Sequence, residues 1–368
     1  MSETNRPMRI NFLITNPALH GGGRVTAIHA GYLKRAGHDV RVITLPKPRV
    51  SALDKALLDP MRKAAGRPRW RRVFQTGFFD REGIALIHAA QPDKITADDV
   101  PDADVTIATW WETAEWLEDL PAEKGAQVHF VQDDEAKFDH VDTARVERVY
   151  RAPTHKIAVS QWLRDAVIND YGRSDAFLVE NAVDLDIFKA AGDAARAHPA
   201  VGFLHNGSRR KNVALSYTAS RVLKEQFPDL TVEVFGRADP GEIDDLEAWM
   251  TYHRSPAQDD IAKIYSRCTA WLFTSESEGF GLPILEAMAC RTPVVATRAG
   301  AAPQLINGEN GVLVDHSLDG VVEGARALVS MAPDEWARAS QAAFETARVH
   351  QWDRACKAFE AALREIVA

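Results

Sequence analysis

Short apolar runs recur along the chain, each followed by a polar or glycine-bearing turn and then by apolar residues at helical spacing. Residues 9–15 predict a buried first strand, and residues 16–23 a turn-rich loop ending in three glycines. Residues 24–35 carry Val25, Ile28, Ala30 and Leu33 at helical spacing, Gly37 closes that helix, and residues 39–45 predict the next strand. The alternation continues with strands at 84–88, 104–109, 127–131, 156–160 and 176–179, then at 201–205, 231–235, 271–274, 293–297 and 312–314. Helices are predicted before Tyr171, from Val213, over 261–266, after Pro283, and from Leu318, Pro333 and the His350–Asp353 turn to Ala368. Strands separated by helices predict doubly wound α/β domains with parallel sheets. An alanine-rich stretch at 189–199, with Gly192 and Pro199, predicts a linker. The domains are then residues 1–188 and 200–349, with a final helix at 350–368.

Composition changes this picture little. The 368 residues are 46% hydrophobic and 26% charged, ordinary for soluble domains and enough for two. A net charge of -8 and a pI near 5.9 exclude a generally basic nucleic-acid binder. Cys268, Cys290 and Cys356 lack metal-ligand spacing and predict small buried groups in a reducing compartment. The polar start lacks the signal-peptide pattern, and no apolar stretch reaches the roughly 18 residues that span a bilayer. A cytoplasmic protein is expected. One segment stands apart. Residues 61–79 hold Arg62, Lys63, Arg67, Arg69, Arg71 and Arg72 and no acid, with Trp70, Phe74 and Phe78 at every fourth position. This suits either an anionic membrane surface or a solvated basic face over a core-facing stripe.

The candidate chemistry gathers in residues 270–300, which read as strand, polar loop, helix and strand. Glu278 precedes Gly279 and Gly281, and Glu286 follows one turn inside the helix that Pro283 opens. Carboxylates accept the paired hydrogen bonds that vicinal hydroxyls offer, and glycines admit a ligand to the backbone. The alternative is a helix start whose acids complement its dipole. A second loop, Asn206-Gly207-Ser208-Arg209-Arg210-Lys211-Asn212, sets three cations before a helix, which is unfavourable unless an anion sits there. Asp133, Asp134 and Glu135 end a strand, where open α/β sheets bind ligands; capping of the next helix is the alternative. Trp110, Trp111 and Glu112 end another strand. Gly21, Gly22 and Gly23 either admit a diphosphate or acceptor, or make a tight turn; the spaced dinucleotide fingerprint is missing. Asp102-Ala103-Asp104 precedes its strand, reads as loop polarity, and no metal is predicted.

The string Glu-Gly-Phe-Gly-Leu-Pro-x-x-Glu-Ala-Met-Ala-Cys-x-Thr-Pro-Val-Val-Ala from Glu278 resembles the signature of the retaining GT-B glycosyltransferases, in particular glycosyltransferase family 4 (group 1). The resemblance is specific over 156–315 and general over the first 150 residues. It implies two Rossmann-like domains facing a cleft, the final helix crossing back to the first. It implies that Glu278 and the amides of Gly279, Phe280, Gly281 and Leu282 hold the donor sugar and that Glu286 holds the ribose. Lys211 and Arg209 would hold the diphosphate on the Asn206–Gly207 loop, Gly236 would lie near the nucleobase, and Gly22 and Gly23 would face the cleft. Many members place a His near Asp133 and Asp134; here the nearest is His129, inside the strand, and the Phe-Val-Gln-Asp string is more similar to a sub-branch with some rhamnosyltransferases. Arg291 stands where Gly is usual, and Ala182 where Asn-Gly-Val-Asp is usual. The implied activity is metal-independent, retaining transfer of a hexose-type sugar from a nucleotide-diphosphate-sugar to a glycan or lipid-linked acceptor, in cell-surface polysaccharide or lipopolysaccharide synthesis. No cofactor and no nucleic-acid partner is expected. Arg69, Trp70, Arg71 and Arg72 would meet the acceptor or the cytoplasmic membrane face. The rival readings are a nucleotide-sugar epimerase of the same fold and a non-catalytic nucleotide-sugar-binding protein.

Overall fold

A computed structural model describes residues 6–17, 21–46, 77–190 and 199–368. The chain forms two compact units. The first comprises Met1–Val159, Leu163–Val179 and Cys356–Ala368, and the second Ser160–Trp162 and Glu180–Ala355. The basic residues from Arg62 to Arg72, with Trp70 and Phe74, and most of the linker lie outside the described residues.

In the first unit the strands are β1 (Arg9–Ile14), β2 (Asp39–Thr44), β3 (Leu86–His88), β4 (Val105–Ala108), β5 (Ala126–Val131), β6 (His155–Ala158) and β7 (Ala176–Leu178). They pair in the order β3-β2-β1-β4-β5-β6-β7, all parallel. Helices α1 (Gly21–Arg35), α2 (Gly77–Arg81), α3 (Trp111–Leu117), α4 (Thr143–Arg151) and α5 (Gln161–Asn169) connect them. β4 is buried throughout and β1 beyond its first residue, which is why both read as apolar runs rather than as alternating strands.

One expectation needs correction here. Helix α1 starts at Gly21, so Gly21, Gly22 and Gly23 form its first turn and not the end of a loop. Glycine is a poor helix former, and the apolar spacing starts only at Val25. The turn is nonetheless helical, and Thr26 Oγ1 donates to Gly22 O at 2.9 Å.

The same helix carries a buried imidazole. His29 stacks on Phe359 at 4.4 Å and meets Phe130 edge-on at 5.5 Å. Burial pushes it from 6.5 down to about 3. Between those values the unfolded chain binds a proton that the folded chain refuses. Stability is therefore full above about pH 6.5 and is lost as pH falls towards about 3, at up to about 1.4 kcal/mol per pH unit. Thermal melts from pH 7 to pH 4 should fall more steeply for the wild type than for His29→Phe. Parallel slopes would assign the acid sensitivity to other groups.

Lys156 shows why β6 carries a charge beside its first residue. Its ammonium is buried and donates to Val149 O and Ala152 O, both at 3.3 Å, and to Thr154 Oγ1 at 2.5 Å. It closes the carboxyl end of α4, where a cation is favoured, although burial lowers it to about 7.

The second unit holds β8 (Ala200–His205), β9 (Thr231–Gly236), β10 (Thr251–Arg254), β11 (Ala270–Phe273), β12 (Val294–Thr297) and β13 (Gly311–Val314). Their order is β10-β9-β8-β11-β12-β13, again all parallel. Helices α6 (Val213–Gln226), α7 (Gln258–Arg267), α8 (Leu282–Ala289), α9 (Ala302–Leu305), α10 (Leu318–Val329), α11 (Pro333–Val349) and α12 (Trp352–Val367) complete it, α12 passing into the first unit from Cys356. β10 has no counterpart in the apolar pattern. It is an edge strand with no fully buried residue, so its sequence, Thr-Tyr-His-Arg, carries no core signal. Trp271 is fully buried, with Tyr265 at 4.4 Å and Phe235 at 5.6 Å. These rings fix α7 and β9 against the central strand. Among the described residues no helix is long and apolar enough to cross a membrane.

Arg291, where glycine is usual, has φ 60° at the end of α8. A side chain in this left-handed conformation costs about 1–2 kcal/mol, which explains the usual glycine. Here the guanidinium donates to Gln341 Oε1 at 2.6 Å and lies 4.6 Å from the Phe344 ring centre. These contacts, worth about 1 kcal/mol each, offset the strain. Arg291→Gly should exceed Arg291→Ala in urea-unfolding stability by about 1 kcal/mol, because only alanine keeps the strain while losing both contacts. Equal stabilities would remove the backbone explanation.

Candidate active site in the second unit

The sheet of the second unit grows outward from β8 to β9 and β10, and the chain then returns to start β11 on the other side of β8. At such a reversal the loops after the two central strands lead apart, and ligands of open α/β sheets bind at the opening between them. The loop after β8 carries Asn206 to Asn212, and the loop after β11 carries Thr274 to Gly281. Both candidate stretches therefore meet at one place through topology alone.

Lys211 ends a single 3-10 turn, Arg209–Lys211, and Asn212 takes a left-handed conformation with φ 43° before α6. Lys211 Nζ ion-pairs with Glu278 Oε2, while Ser275 Oγ donates to Glu278 Oε1 at 2.7 Å. The Glu278 residue is 7% exposed, so the pair is largely shielded from water. Backbone and hydroxyl bonds hold the two loops together: Glu276 N donates to Arg210 O at 2.7 Å, and Thr274 Oγ1 to Asn212 O at 3.0 Å. The carbonyl of Ser275 accepts from Thr297 Oγ1 at 2.6 Å and from His316 Nε2 at 2.5 Å.

The glycine loop is equally determined. The carbonyl of Gly279 accepts from Ser160 Oγ at 2.7 Å and Trp162 Nε1 at 2.8 Å, both residues of this unit. Gly281 has φ 97°, and a Cβ there would come within 2.9 Å of the Phe273 ring. Phe280 is buried, and its carbonyl accepts from Ala301 N at 2.8 Å. Leu282 then opens α8, with Pro283 in its first turn. Glu286 lies in the second turn, 7% exposed, and Tyr265 OH donates to its Oε2 at 2.9 Å.

Ser275, Tyr265, Ser160, Trp162, His316 and Gly300 escaped the sequence reading. Gly300 was legible only as the end of the stretch. It has φ 59°, and a Cβ would meet Phe280 O at 2.5 Å and Glu278 Cβ at 2.8 Å. It lets the chain after β12 close on the glycine loop.

The other candidates fall at a range of places. Asn206, Gly207 and Arg209 are exposed, and Asn206 Oδ1 accepts from Ser208 N at 2.9 Å. Gly236 ends β9 beside His205, where a Cβ would come within 2.6 Å of His205 O, so packing alone demands glycine. In the first unit Gly22 and Gly23 open α1. Asp133 is half-buried and Asp134 buried after β5. Tyr171 OH donates to Asp134 Oδ1 at 2.7 Å and Lys137 pairs with Oδ2 at 3.0 Å, so this carboxylate is held by its own unit. Glu135 is buried, accepts from Trp111 N at 2.9 Å, and is pushed well above the usual carboxyl range by burial and by Asp133. His129 is fully buried beside Tyr150, and burial holds it well below the usual imidazole range. Asp104 accepts from Arg9, and Asp102 from Lys124, so both acids of the Asp-x-Asp string bind cations of their own unit. Among the described residues no group of His, Cys, Asp or Glu is arranged to hold a metal ion.

The sequence model of "Glycosyl transferases group 1" matches residues 187–345, and that of "Glycosyltransferase Family 4" residues 19–187. The chain belongs to the family 4, group 1 glycosyltransferases, and its two parallel-sheet units are the Rossmann-like domains of the GT-B fold. It is 31% identical over 210 residues to a phosphatidyl-myo-inositol mannosyltransferase of Mycolicibacterium smegmatis, covering 54% of this chain and 53% of the relative. It is 36% identical over 185 residues to the lipopolysaccharide core biosynthesis mannosyltransferase LpcC of Rhizobium leguminosarum, covering 43% and 53%. The chain thus spans about half the length of these two relatives. Its fold is similar to a sucrose-phosphate synthase of Thermosynechococcus elongatus, with TM-score 0.73 at 16% identity over 98% of this chain and 99% of the other. It is also similar to Anabaena HepE in complex with UDP and glucose, with TM-score 0.72 at 18% identity over 97% and 100%.

Proposed function

We propose that this protein transfers a hexose-type sugar from a nucleotide-diphosphate-sugar to a glycan or lipid-linked acceptor, with retention at the anomeric carbon and without a metal ion. The observation that carries this reading is the Lys211–Glu278 pair, shielded at the strand reversal beside the Gly279–Leu282 loop and Glu286. In the transition state the anomeric carbon becomes oxocarbenium-like while the departing diphosphate gains charge. Lys211, with Arg209 on the same turn, supplies fixed positive charge to the leaving group. Glu278 and the amides of Gly279 to Leu282 orient the sugar, and Glu286 accepts from the ribose hydroxyls. The acceptor oxygen attacks on the leaving-group face and a phosphate oxygen takes its proton, so retention requires no covalent nucleophile.

The names of the matched relatives, two mannosyltransferases of lipid and lipopolysaccharide synthesis, support a hexose and a cell-surface acceptor. The basic, aromatic stretch that includes Arg69, Trp70, Arg71 and Arg72 supports peripheral attachment to the cytoplasmic membrane face. The test is a thermal-shift screen of nucleoside diphosphates, where a ligand at a hundred times its Kd adds about 2.7 kcal/mol. Product analysis with the matching donor follows, with and without acceptor and with EDTA present. Conversion of donor without acceptor would mark an epimerase, binding without turnover a non-catalytic protein, and loss in EDTA restored by magnesium a metal-dependent reaction.

A further inference from the structure

The mechanism leaves one aromatic cluster unused. In the first unit the sheet order reverses between β1 and β4, so its strand-end opening lies beside the residues that follow β4. Those residues are Thr109, Trp110 and Trp111. Thr109 Oγ1 donates to Leu13 O at 3.1 Å, tying the end of β4 to β1, and Thr113 Oγ1 both accepts from Trp110 N at 3.1 Å and donates to Trp110 O at 2.7 Å. The Trp110 backbone is therefore fixed at the reversal. Its ring centre lies 5.5 Å from Phe138, and Phe138 lies 5.8 Å from His140. Trp110 and Phe138 are half-buried and His140 is exposed, so the three rings form a ledge open to water rather than a core cluster. Glu112 stands in the first turn of α3, and Asp133 and Asp139 in the segment after β5, all partly or fully exposed; Lys137 of that segment is paired with Asp134.

We infer that this ledge binds an uncharged hexopyranose ring, the sugar of the acceptor. A pyranose has one face of C–H groups, which lie against the electron-rich face of an aromatic ring, and a rim of hydroxyls, which donate to carboxylates. Ledge and acids match those two needs. Exposed acids near these rings in the sequence, with the one cation of the segment already paired to Asp134, disfavour a phosphorylated or uronic ligand, and rings open to water do not suit a bare lipid chain. That this sugar is the acceptor rests on the transferase reading. That a sugar binds here rests on the ledge alone.

The test is saturation-transfer NMR of the full chain with methyl mannopyranoside, methyl glucopyranoside and methyl glucuronide at millimolar concentration. A neutral glycoside should receive saturation on its ring protons, and the glucuronide markedly less. Trp110→Ala and Phe138→Ala should weaken binding by about threefold to tenfold, and Trp110→Phe should retain most of it. The exposed His140→Ala serves where a larger truncation disturbs folding, and it should also weaken binding. Nucleoside-diphosphate binding by Trp110→Ala should equal that of the wild type. No saturation of any hexopyranoside, or equal saturation with Trp110→Ala and His140→Ala, overturns the ledge as a sugar site. Absence of nucleoside-diphosphate binding by the wild type overturns the transferase reading instead and leaves the glycoside result to decide the ledge.

Discussion

Lys211→Ala is expected to lower kcat by about a hundredfold to a thousandfold while changing the donor KM far less, the range found when one preorganised donor to a developing anion is removed. The diphosphate is already charged in the ground state, but its bridging oxygen gains further charge only as the glycosidic bond breaks. Lys211 is also the partner of a carboxylate shielded from water, so its loss leaves Glu278 with Ser275 alone among its hydrogen-bond donors in this loop. An underpartnered buried acid costs about 1–3 kcal/mol of stability. A double variant, Lys211→Ala with Glu278→Gln, separates the two effects. It should recover thermal stability and not turnover. Steady-state kinetics and melting of all three variants decide the matter. An unchanged kcat with a raised KM would reduce Lys211 to a ground-state binder.

Glu286→Ala should remove most donor affinity. Two ribose hydroxyls donating to a carboxylate contribute about 1.5–3 kcal/mol each, so their loss weakens binding by more than a hundredfold. Tyr265 adds a structural consequence. Its hydroxyl donates to Glu286 from a fully buried position, and its ring packs on Trp271, so the alanine variant also removes a buried hydrogen bond. Glu286→Gln keeps an acceptor for Tyr265 while removing the charge. It should melt near the wild type and still bind donor weakly. Calorimetry with the cognate nucleoside diphosphate measures both variants. Wild-type affinity in a folded Glu286→Ala protein would place Glu286 outside the site.

The central strands, the helix after Pro283 and the acids of the glycine loop were all legible in the chain itself. Each is a local matter: a strand buried on both faces must be apolar along its length, and proline at a helix start requires only its own fixed φ. The exposed edge strand Thr251–Arg254 and the helical first turn at Gly21 were not legible, because neither carries an apolar period. Arg291 shows the limit from the other side. The departure from glycine was visible, but the Phe344 and Gln341 contacts that offset its left-handed backbone were not.

What the sequence determined by itself was the alternation of strand and helix, and with it two parallel-sheet domains and the residue types of the glycine loop. Only the tertiary structure decided which of those residues meet. Lys211 reaches Glu278 because the sheet order reverses and brings the loops after β8 and β11 together, while Tyr265 reaches Glu286 from α7 and Trp162 reaches Gly279 from a distant segment of the same unit. It equally decided that Asp134 is occupied by Tyr171 and Lys137 and that Trp110 stands open beside Phe138. Local propensity depends on a few neighbouring residues, whereas these contacts depend on strand order and on how helices and loops pack, which short-range pattern does not encode.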